Sequence, residues 1–245
     1  MRFDSASVLV TGGSRGIGRA IARKFARLGA RRVVLGYLRN DAAAEEAADE
    51  LRGLGAETVL LRGNVTSRRV LDEVRALGRL DVVVHNAATG VIRPALEVDE
   101  RHWDWTLGAN ARGLLSLTQA AVPSMPRGSS IVGLSSLGSA RVLENYVLVG
   151  TSKAALESLV RYLAVELAPR GIRVNAVSGG VVETRALEHF PNREEMLDAA
   201  RTRTPAGRMV EADDLAEAVC FLCSPGAEMI RGQTLVVDGG YSLLA

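Results

Sequence analysis

Short runs of apolar and β-branched residues alternate along the chain with longer segments in which apolar positions recur every three or four residues. The short runs predict seven strands, at residues 7–10, 32–35, 58–61, 80–84, 130–134, 172–177 and 234–237. The longer segments predict six helices, at residues 16–28, 41–54, 67–77, 99–124, 146–168 and 212–222. This alternation predicts right-handed crossovers and an α/β fold, a doubly wound parallel sheet with helices on both faces.

Residues 184–209 interrupt the alternation. This segment is polar, contains Pro191 and Pro205, and has only a short helical pattern near residues 194–201. We expect it to form a lid over the carboxyl edge of the sheet, where ligands of open α/β sheets bind. The 245 residues contain no linker rich in Pro, Gly or Ser, and we expect one domain over residues 1–245.

Composition narrows the class of protein. Hydrophobic residues make up 47% of the chain and the net charge is +2, which is typical of a globular protein that binds neither nucleic acid nor membrane. No apolar stretch approaches the roughly 20 residues that span a bilayer, and residues 1–7 lack a signal peptide's apolar segment, so we expect a cytoplasmic protein. Cys220 and Cys223 lie in an apolar run far from the scattered histidines. They predict core packing rather than a metal site.

A glycine-rich turn follows the first predicted strand and precedes the first predicted helix. In this position, glycines let the backbone turn tightly and approach a pyrophosphate, whose charge the helix N-terminus stabilises. The context therefore favours a dinucleotide site in a Rossmann fold over a plain tight turn. The candidate cofactor-binding residues here are Thr11, Gly12, Ser14, Arg15, Gly16, Ile17 and Gly18.

The end of the second predicted strand bears on the choice of cofactor. An NAD-specific site presents an acidic residue there, but this chain has Tyr37. Arg39 follows two residues later and Arg15 lies in the glycine turn, so two cations converge where a 2′-phosphate would lie. The alternative interpretation is that each arginine is an ordinary surface residue, because arginine is abundant in this chain. Together they predict NADPH rather than NADH.

Thr11, Gly12, Gly16 and Gly18 resemble the Thr-Gly-x-x-x-Gly-x-Gly turn of the short-chain dehydrogenase/reductase family. Three later segments are similar to cofactor-contacting segments of that family, although Asn64, which stands where the family has an aspartate, and His85, Ala88 and Ser178 depart from its pattern. The residues that the resemblance adds to the cofactor site are Asn64 and Val65, Asn86 and Ala87, and Gly179, Val182 and Thr184, together with Lys153.

Residues 131–156 carry the candidate catalytic residues. In the wider family a serine stands 13 residues before a tyrosine, which stands four before a lysine, and these places hold Ser136, Val149 and Lys153. Tyr146 instead lies seven residues before Lys153. This spacing resembles the Tyr-x6-Lys signature of enoyl-acyl-carrier-protein reductases, and nearly the whole chain is most similar to their NADPH-dependent type III branch.

The spacing of the tyrosine and the lysine bears on the chemistry. Seven residues are about two helical turns, so the two side chains share a face while the phenol lies several ångströms along the axis. Such a displaced acid suits an enoyl thioester, whose reacting carbon is not its carbonyl carbon. The resemblance implies that Tyr146 bonds the thioester oxygen and that Lys153 bonds the nicotinamide ribose. It also implies that Asn110 holds a water beside Lys153, although a bond to helix backbone is an equal alternative. The role of Ser136, which replaces a second tyrosine, stays open.

Two other functions remain open at this point. A carbonyl reductase would use Ser136 and Tyr146 on a ketone, and a non-catalytic NADPH-binding regulator would keep only the cofactor turn. The resemblance further implies an acyl-carrier-protein partner and a homotetramer assembled through residues 154–168 and 232–244. Each has a plainer explanation. The general abundance of arginine accounts for a basic lid, and packing in a monomer core accounts for the apolar stripe. The lid arginines that would meet the carrier are Arg185, Arg193, Arg201 and Arg203.

Overall fold

Seven parallel strands form one sheet in the order β3-β2-β1-β4-β5-β6-β7 in the computed structural model, which describes residues 1–244. The strands are β1 (Ser7–Thr11), β2 (Arg32–Tyr37), β3 (Glu57–Arg62), β4 (Val82–His85), β5 (Ser130–Ser136), β6 (Arg173–Gly179) and β7 (Thr234–Val237). The inner strands are buried on both faces, which explains their nearly continuous apolar sequences. The predicted doubly wound, seven-stranded Rossmann fold is confirmed.

Several strands extend beyond the apolar runs that predicted them. β1, β4, β5 and β6 end at Thr11, His85, Ser136 and Gly179, one or two residues later than expected. Parallel pairing uses backbone N–H and C=O groups, so it continues through polar side chains. Thr11 pairs with His85, and Ser136 pairs with Gly179. The candidate site residues at the carboxyl edge are therefore held by the sheet itself.

The helices follow the predicted order with one interruption. Their bounds are α1 (Gly16–Arg27), α2 (Asp41–Gly53), α3 (Arg68–Ala76), α4 (Glu100–Leu107), α5 (Gly113–Ala121), α6 (Val147–Glu166), α7 (Arg193–Arg203) and α8 (Ala212–Cys223). The single helix predicted at 99–124 is wrong in detail, because Gly108–Arg112 forms a π-helical turn between α4 and α5. Such turns are frequent at functional sites, and Asn110 lies in this one.

Two apolar clusters cover the two faces of the sheet. One includes residues of α1, α2 and α8, and the other includes residues of α3, α5 and α6. Cys220 and Cys223 belong to the first cluster, and both are free thiols whose pKa is raised by burial. Their predicted role as core residues is confirmed. Among the helices of the described chain, none has the length and apolarity that a bilayer span requires.

The segment 184–209 contains a 3-10 helix (Arg185–His189) followed by α7. Glu183 pairs with two of the arginines proposed to meet a carrier: Arg193 Nη2 lies 2.8 Å and Arg201 Nη2 lies 3.7 Å from its carboxylate. These two cations are thus partly neutralised within the protein.

The apolar stripe on α6 is not entirely core. Tyr162 is 68% exposed and Val165 is 74% exposed, while Leu235 and Val236 are exposed on the edge strand β7. A monomer core therefore does not account for these residues. The homotetramer stays a prediction.

Candidate active site

The glycine turn is tied to the adjacent strand where the strand order reverses, between β1 and β4. Thr11 Oγ1 accepts hydrogen bonds from the backbone N–H groups of Asn86 (3.1 Å) and Ala87 (3.0 Å). Asn86 Nδ2 in turn donates to the carbonyl oxygens of Thr11 (3.1 Å) and Gly12 (3.0 Å). These bonds fix the turn against the end of β4, at the crevice where open α/β sheets bind ligands.

The backbone of the turn leaves no room for side chains at two positions. Gly12 has a left-handed φ of +66°, and a Cβ at Gly18 would overlap the Gly12 carbonyl oxygen. The N-terminus of α1 stays open to solvent, because Arg15 and Gly16 are exposed. The remaining turn residues pack inward, with Ser14 buried and Ile17 half-buried against the core. A pyrophosphate fits this open helix end and its unpaired N–H groups.

The loop after β6 approaches the glycine turn from the other side. Gly179 ends β6, and Val182 packs against the apolar cluster that contains α1. The Thr184 methyl group is the nearest neighbour of a Cβ built on Gly16, at 3.7 Å. The loop therefore brings Thr184 to the open end of α1, while Val182 anchors the loop on the apolar cluster.

An acidic residue that sequence reasoning missed, Asp41 at the start of α2, lies beside the end of β2. Tyr37 Oη donates to Asp41 Oδ1 at 2.9 Å, and Arg62 Nη1 lies 3.3 Å from the same carboxylate. Loss of solvation and this carboxylate raise the pKa of the Tyr37 phenol. Arg15 and Arg39 are exposed and form no ion pair with any residue in the described chain. The Asp41 charge is thus engaged by Tyr37 and Arg62, while two cations remain available.

Asn64 stabilises the loop after β3. Its Oδ1 accepts from the backbone N–H of Thr66 (3.0 Å) and from Thr66 Oγ1 (2.9 Å). Val65 beside it is buried. The amide oxygen that replaces a family carboxylate therefore orders its own loop.

Tyr146 lies just outside α6 and not within it as the sequence predicted. It is the N-cap residue, with φ −101° and ψ 12°. Its Oη donates to Ser136 Oγ at 3.3 Å, and its ring lies against Gly138 and Phe190, with the Phe190 ring centroid 5.6 Å away. Burial raises the pKa of this phenol, although the Ser136 bond opposes the shift. Tyr146 is therefore a protonated hydrogen-bond donor at neutral pH.

Lys153 contacts the strand next to α6 and not the phenol. Its side chain is buried, and Nζ donates to the Leu134 carbonyl oxygen at 2.6 Å. Burial lowers the pKa of Lys153 to about 8, against the opposing effect of Glu157. Leu134 and Ser136 are two residues apart on β5, which separates them by about 7 Å along the strand. One strand thus positions both the ammonium and the phenol.

Asn110 links three elements that are distant in sequence. It is fully buried; its Oδ1 accepts from Thr89 N (2.9 Å), and its Nδ2 donates to Thr89 O and Ser152 Oγ (both 2.8 Å). The bond to backbone thus goes to the loop after β4 and not to its own helix. Ser152 directly precedes Lys153, so Asn110 stabilises the position of the lysine on α6.

His85 fixes the backbone of the same π-helical turn. Its Nε2 lies 3.0 Å from the Asn110 carbonyl oxygen, and its Nδ1 lies 3.4 Å from Thr11 Oγ1. Burial and the nearby Lys153 lower the pKa of His85 to about 4, so the ring is neutral and donates from Nε2. The sequence marked His85 only as a departure from the family motif.

The position four residues before the lysine has no proton donor. Val149 is buried, and a Cβ at Gly90 would overlap its Cγ2 atom. An apolar side chain therefore fills the space beside the loop after β4. Phe190, which covers Tyr146 instead, was missed by sequence reasoning. It is the only Phe, Tyr or Trp in segment 184–209, and that isolation was the available signal.

The pKa of Lys153 predicts a pH limit for catalysis. If the ammonium is the active form, kcat/KM falls as pH rises through about 8, because the free enzyme then loses this proton. Tyr146 stays protonated near pH 8, since burial raises its pKa above the usual value of a phenol. Rates measured from pH 6 to 10 test this, with Lys24→Arg as the control that leaves the profile unchanged. A flat profile to pH 10 would contradict a role for the charge.

Comparison with known proteins places the chain. The family model described as "Enoyl-(Acyl carrier protein) reductase" matches residues 12–242. The 1-cyclohexenylcarbonyl-CoA reductase of Streptomyces collinus is 41% identical over 244 residues, covering 97% of this chain and 87% of that protein. A short-chain dehydrogenase from Burkholderia cenocepacia, solved with NADP, has a TM-score of 0.90 at 32% identity and covers 99% of this chain and 100% of its own. A blue fluorescent protein from a metagenomic library, solved with NADPH, has a TM-score of 0.88 at 30% identity, with coverage of 99% and 100%.

The fold and the site define the class first. A doubly wound sheet that brings a glycine turn, a buried lysine and a phenol to one edge is the architecture of a dinucleotide-binding oxidoreductase. Within that class, the chain belongs to the short-chain dehydrogenase/reductase family. The resemblance seen in the sequence is confirmed.

Proposed function

We propose that the protein uses NADPH to reduce the 2,3 double bond of an enoyl thioester. The observation that carries the proposal is the placement of the acid: Tyr146 bonds Ser136 at the end of β5, while Val149 fills the usual tyrosine position. The Streptomyces collinus relative is named for a cyclohexenylcarbonyl-CoA substrate, which supports a conjugated thioester.

The residues present fit a phosphorylated dinucleotide. The open N-terminus of α1 and the close backbone packing at Gly18 form a cradle for the pyrophosphate. Arg15 and Arg39 would bind the 2′-phosphate, and structural neighbours are solved with NADP and NADPH. The loop at Val182 and Thr184 would hold the carboxamide. When bound, NADPH supplies the hydride for the reduction.

The chain's own residues would handle the charge on the substrate. Hydride addition at the β-carbon would move negative charge to the thioester oxygen, and Tyr146 would donate a hydrogen bond to that oxygen. An oxyanion donor of this kind is worth roughly 3–4 kcal/mol. With substrate bound, the single phenol proton would turn from Ser136 Oγ to the thioester oxygen, and the Ser136 hydroxyl would then donate to the phenol oxygen and orient it. The Lys153 ammonium would favour the enolate electrostatically. A proton taken up from solvent at the α-carbon would complete the reduction. Phe190 would exclude water from one side of the phenol.

The acyl carrier is part of the proposal. We propose acyl carrier protein as the carrier, as the family model's description suggests, and the coenzyme A named in the Streptomyces relative is the other source of the same thioester. Because Glu183 pairs with Arg193 and Arg201, carrier binding would depend more on Arg185 than on those two.

A carbonyl reductase is the second candidate. The Ser136–Tyr146 hydrogen bond of 3.3 Å favours it, because such a pair can also polarise a ketone oxygen. The site differs from that of a typical carbonyl reductase at Val149, because no phenol lies four residues before Lys153. A non-catalytic regulator gains no support from the position of Lys153. This lysine is buried and bonds β5, the strand that also holds the Tyr146 phenol.

A substrate comparison tests these proposals. NADPH absorbance is followed with crotonyl and acetoacetyl thioesters, each on coenzyme A and on acyl carrier protein. We expect oxidation of NADPH with the crotonyl thioesters and a higher kcat/KM on acyl carrier protein. Oxidation with the acetoacetyl thioesters alone would replace the proposal by a carbonyl reductase. Binding of NADPH without turnover on any of the four would favour the regulator.

A further inference from the structure

Asn145, the residue before Tyr146, has a left-handed backbone conformation with φ +58°. Among the non-glycine residues that the structure describes, only Ser5, with φ +65°, shares a positive φ. This conformation costs most side chains energy, and asparagine tolerates it better than alanine. The strain at Asn145 lies directly beside the proposed acid, whereas Ser5 lies near the amino end of β1.

The backbone of Asn145 is held from outside its own segment. Its carbonyl oxygen accepts a hydrogen bond of 2.8 Å from the backbone N–H of Arg93, in the loop after β4. Within residues 1–244, the Asn145 side chain forms no hydrogen bond. Asn145 therefore acts through its backbone conformation and not through its amide group.

Tyr146 depends on this conformation because α6 does not fully orient it. Residues inside a helix point in directions set by the helical φ and ψ values, but the N-cap lies outside that geometry. Tyr146 has φ −101° and ψ 12°, and its position relative to β5 follows from how the chain arrives at α6. The left-handed residue turns the chain so that the phenol reaches Ser136 and the ring packs on Gly138.

We propose that Asn145 is a positioning residue that aims the Tyr146 phenol at the substrate oxygen. The left-handed turn and the Arg93 bond together replace the orienting effect that a helix gives a tyrosine four residues before the lysine. This inference rests on the proposed role of Tyr146.

A strain-matched set of variants tests it. Asn145→Ala is expected to lower kcat about tenfold and leave the Kd for NADPH unchanged, because alanine disfavours the left-handed region by about the corresponding free energy. Asn145→Gly, which adopts that region freely, is expected to keep the parent kcat. Ser5→Ala introduces the same backbone strain away from the site, and should lower the Tm comparably while kcat stays unchanged.

A double-mutant cycle separates positioning from general destabilisation. In a Tyr146→Phe background, Asn145→Ala should cause no further loss of kcat, because the group it positions is gone. An equal loss in both backgrounds would overturn the inference, as would parent activity for Asn145→Ala. If the alanine variant does not fold, Asn145→Ser takes its place in the cycle. The cycle is run with whichever thioester is reduced, so a failure of the enoyl proposal is seen in the substrate and a failure of this inference in the cycle.

Discussion

Tyr146→Phe is expected to lower kcat for an enoyl thioester by about 10²–10³-fold, as the loss of one oxyanion donor does in other enzymes. The phenol hydroxyl is the part of the ring that would meet the thioester oxygen, and its only partner among the described residues is Ser136. The ring itself would stay packed on Gly138 and Phe190. The Kd for NADPH should therefore change little, and kcat measured under saturating cofactor checks the prediction.

The matched control for this change is Tyr162→Phe. Tyr162 lies within α6 and is 68% exposed, so the loss of its hydroxyl should leave kcat unchanged. Thermal unfolding of both variants would establish that the folded state persists. Parent-like turnover of Tyr146→Phe would remove the phenol from the mechanism.

Gly18→Ala is expected to weaken NADPH binding by about 10- to 100-fold, the equivalent of the 1–3 kcal/mol that overpacking costs. A Cβ there would overlap the Gly12 carbonyl oxygen and would lie 2.5 Å from Asn86 Nδ2. Both atoms take part in the hydrogen bonds that hold the glycine turn against the end of β4, so neither moves without breaking those bonds. Fluorescence titration with NADPH measures the Kd, and the Tm should fall as well.

The matched control for Gly18→Ala is Gly53→Ala. Gly53 ends α2, and a Cβ built there meets no atom of the described chain within 4 Å. Alanine in a helix is favoured over glycine by about 1 kcal/mol, so this variant should bind NADPH normally and be at least as stable as the parent. Equal NADPH affinity for the two alanine variants would show that the packing at Gly18 does not shape the cofactor site.

The sheet could be predicted because its signal is local and repeated. Each buried strand is a short apolar run, and the helices between them have their own periodicity. The strand ends at Thr11, His85 and Gly179 were missed because apolarity describes side chains, whereas the ladder is built from backbone groups. The π-helical turn around Asn110 had no signal, because its sequence is compatible with an α-helix.

The candidate site likewise contains some features that the sequence predicts and others that it does not. The glycine turn and the Tyr146–Lys153 spacing lie within continuous segments, so the sequence exposes them directly. The Ser136–Tyr146 bond depends on a backbone angle at Asn145, and the Asn110 bonds to Thr89 and Ser152 join elements separated by 21 and 42 residues. Pairings of that kind become visible only when the chain is folded.

The five-residue turn at Gly108–Arg112 makes the number of residues in this stretch a property of the active site. If one residue were removed, ordinary α-helical winding would return, and α4 and α5 would keep their present faces because the turn holds one residue more than an α-helix needs. A helix would still cover the sheet, but a different side chain would face Thr89 and Ser152. Selection for catalysis would therefore preserve the number of residues in this turn, whereas selection for stability alone would tolerate either length.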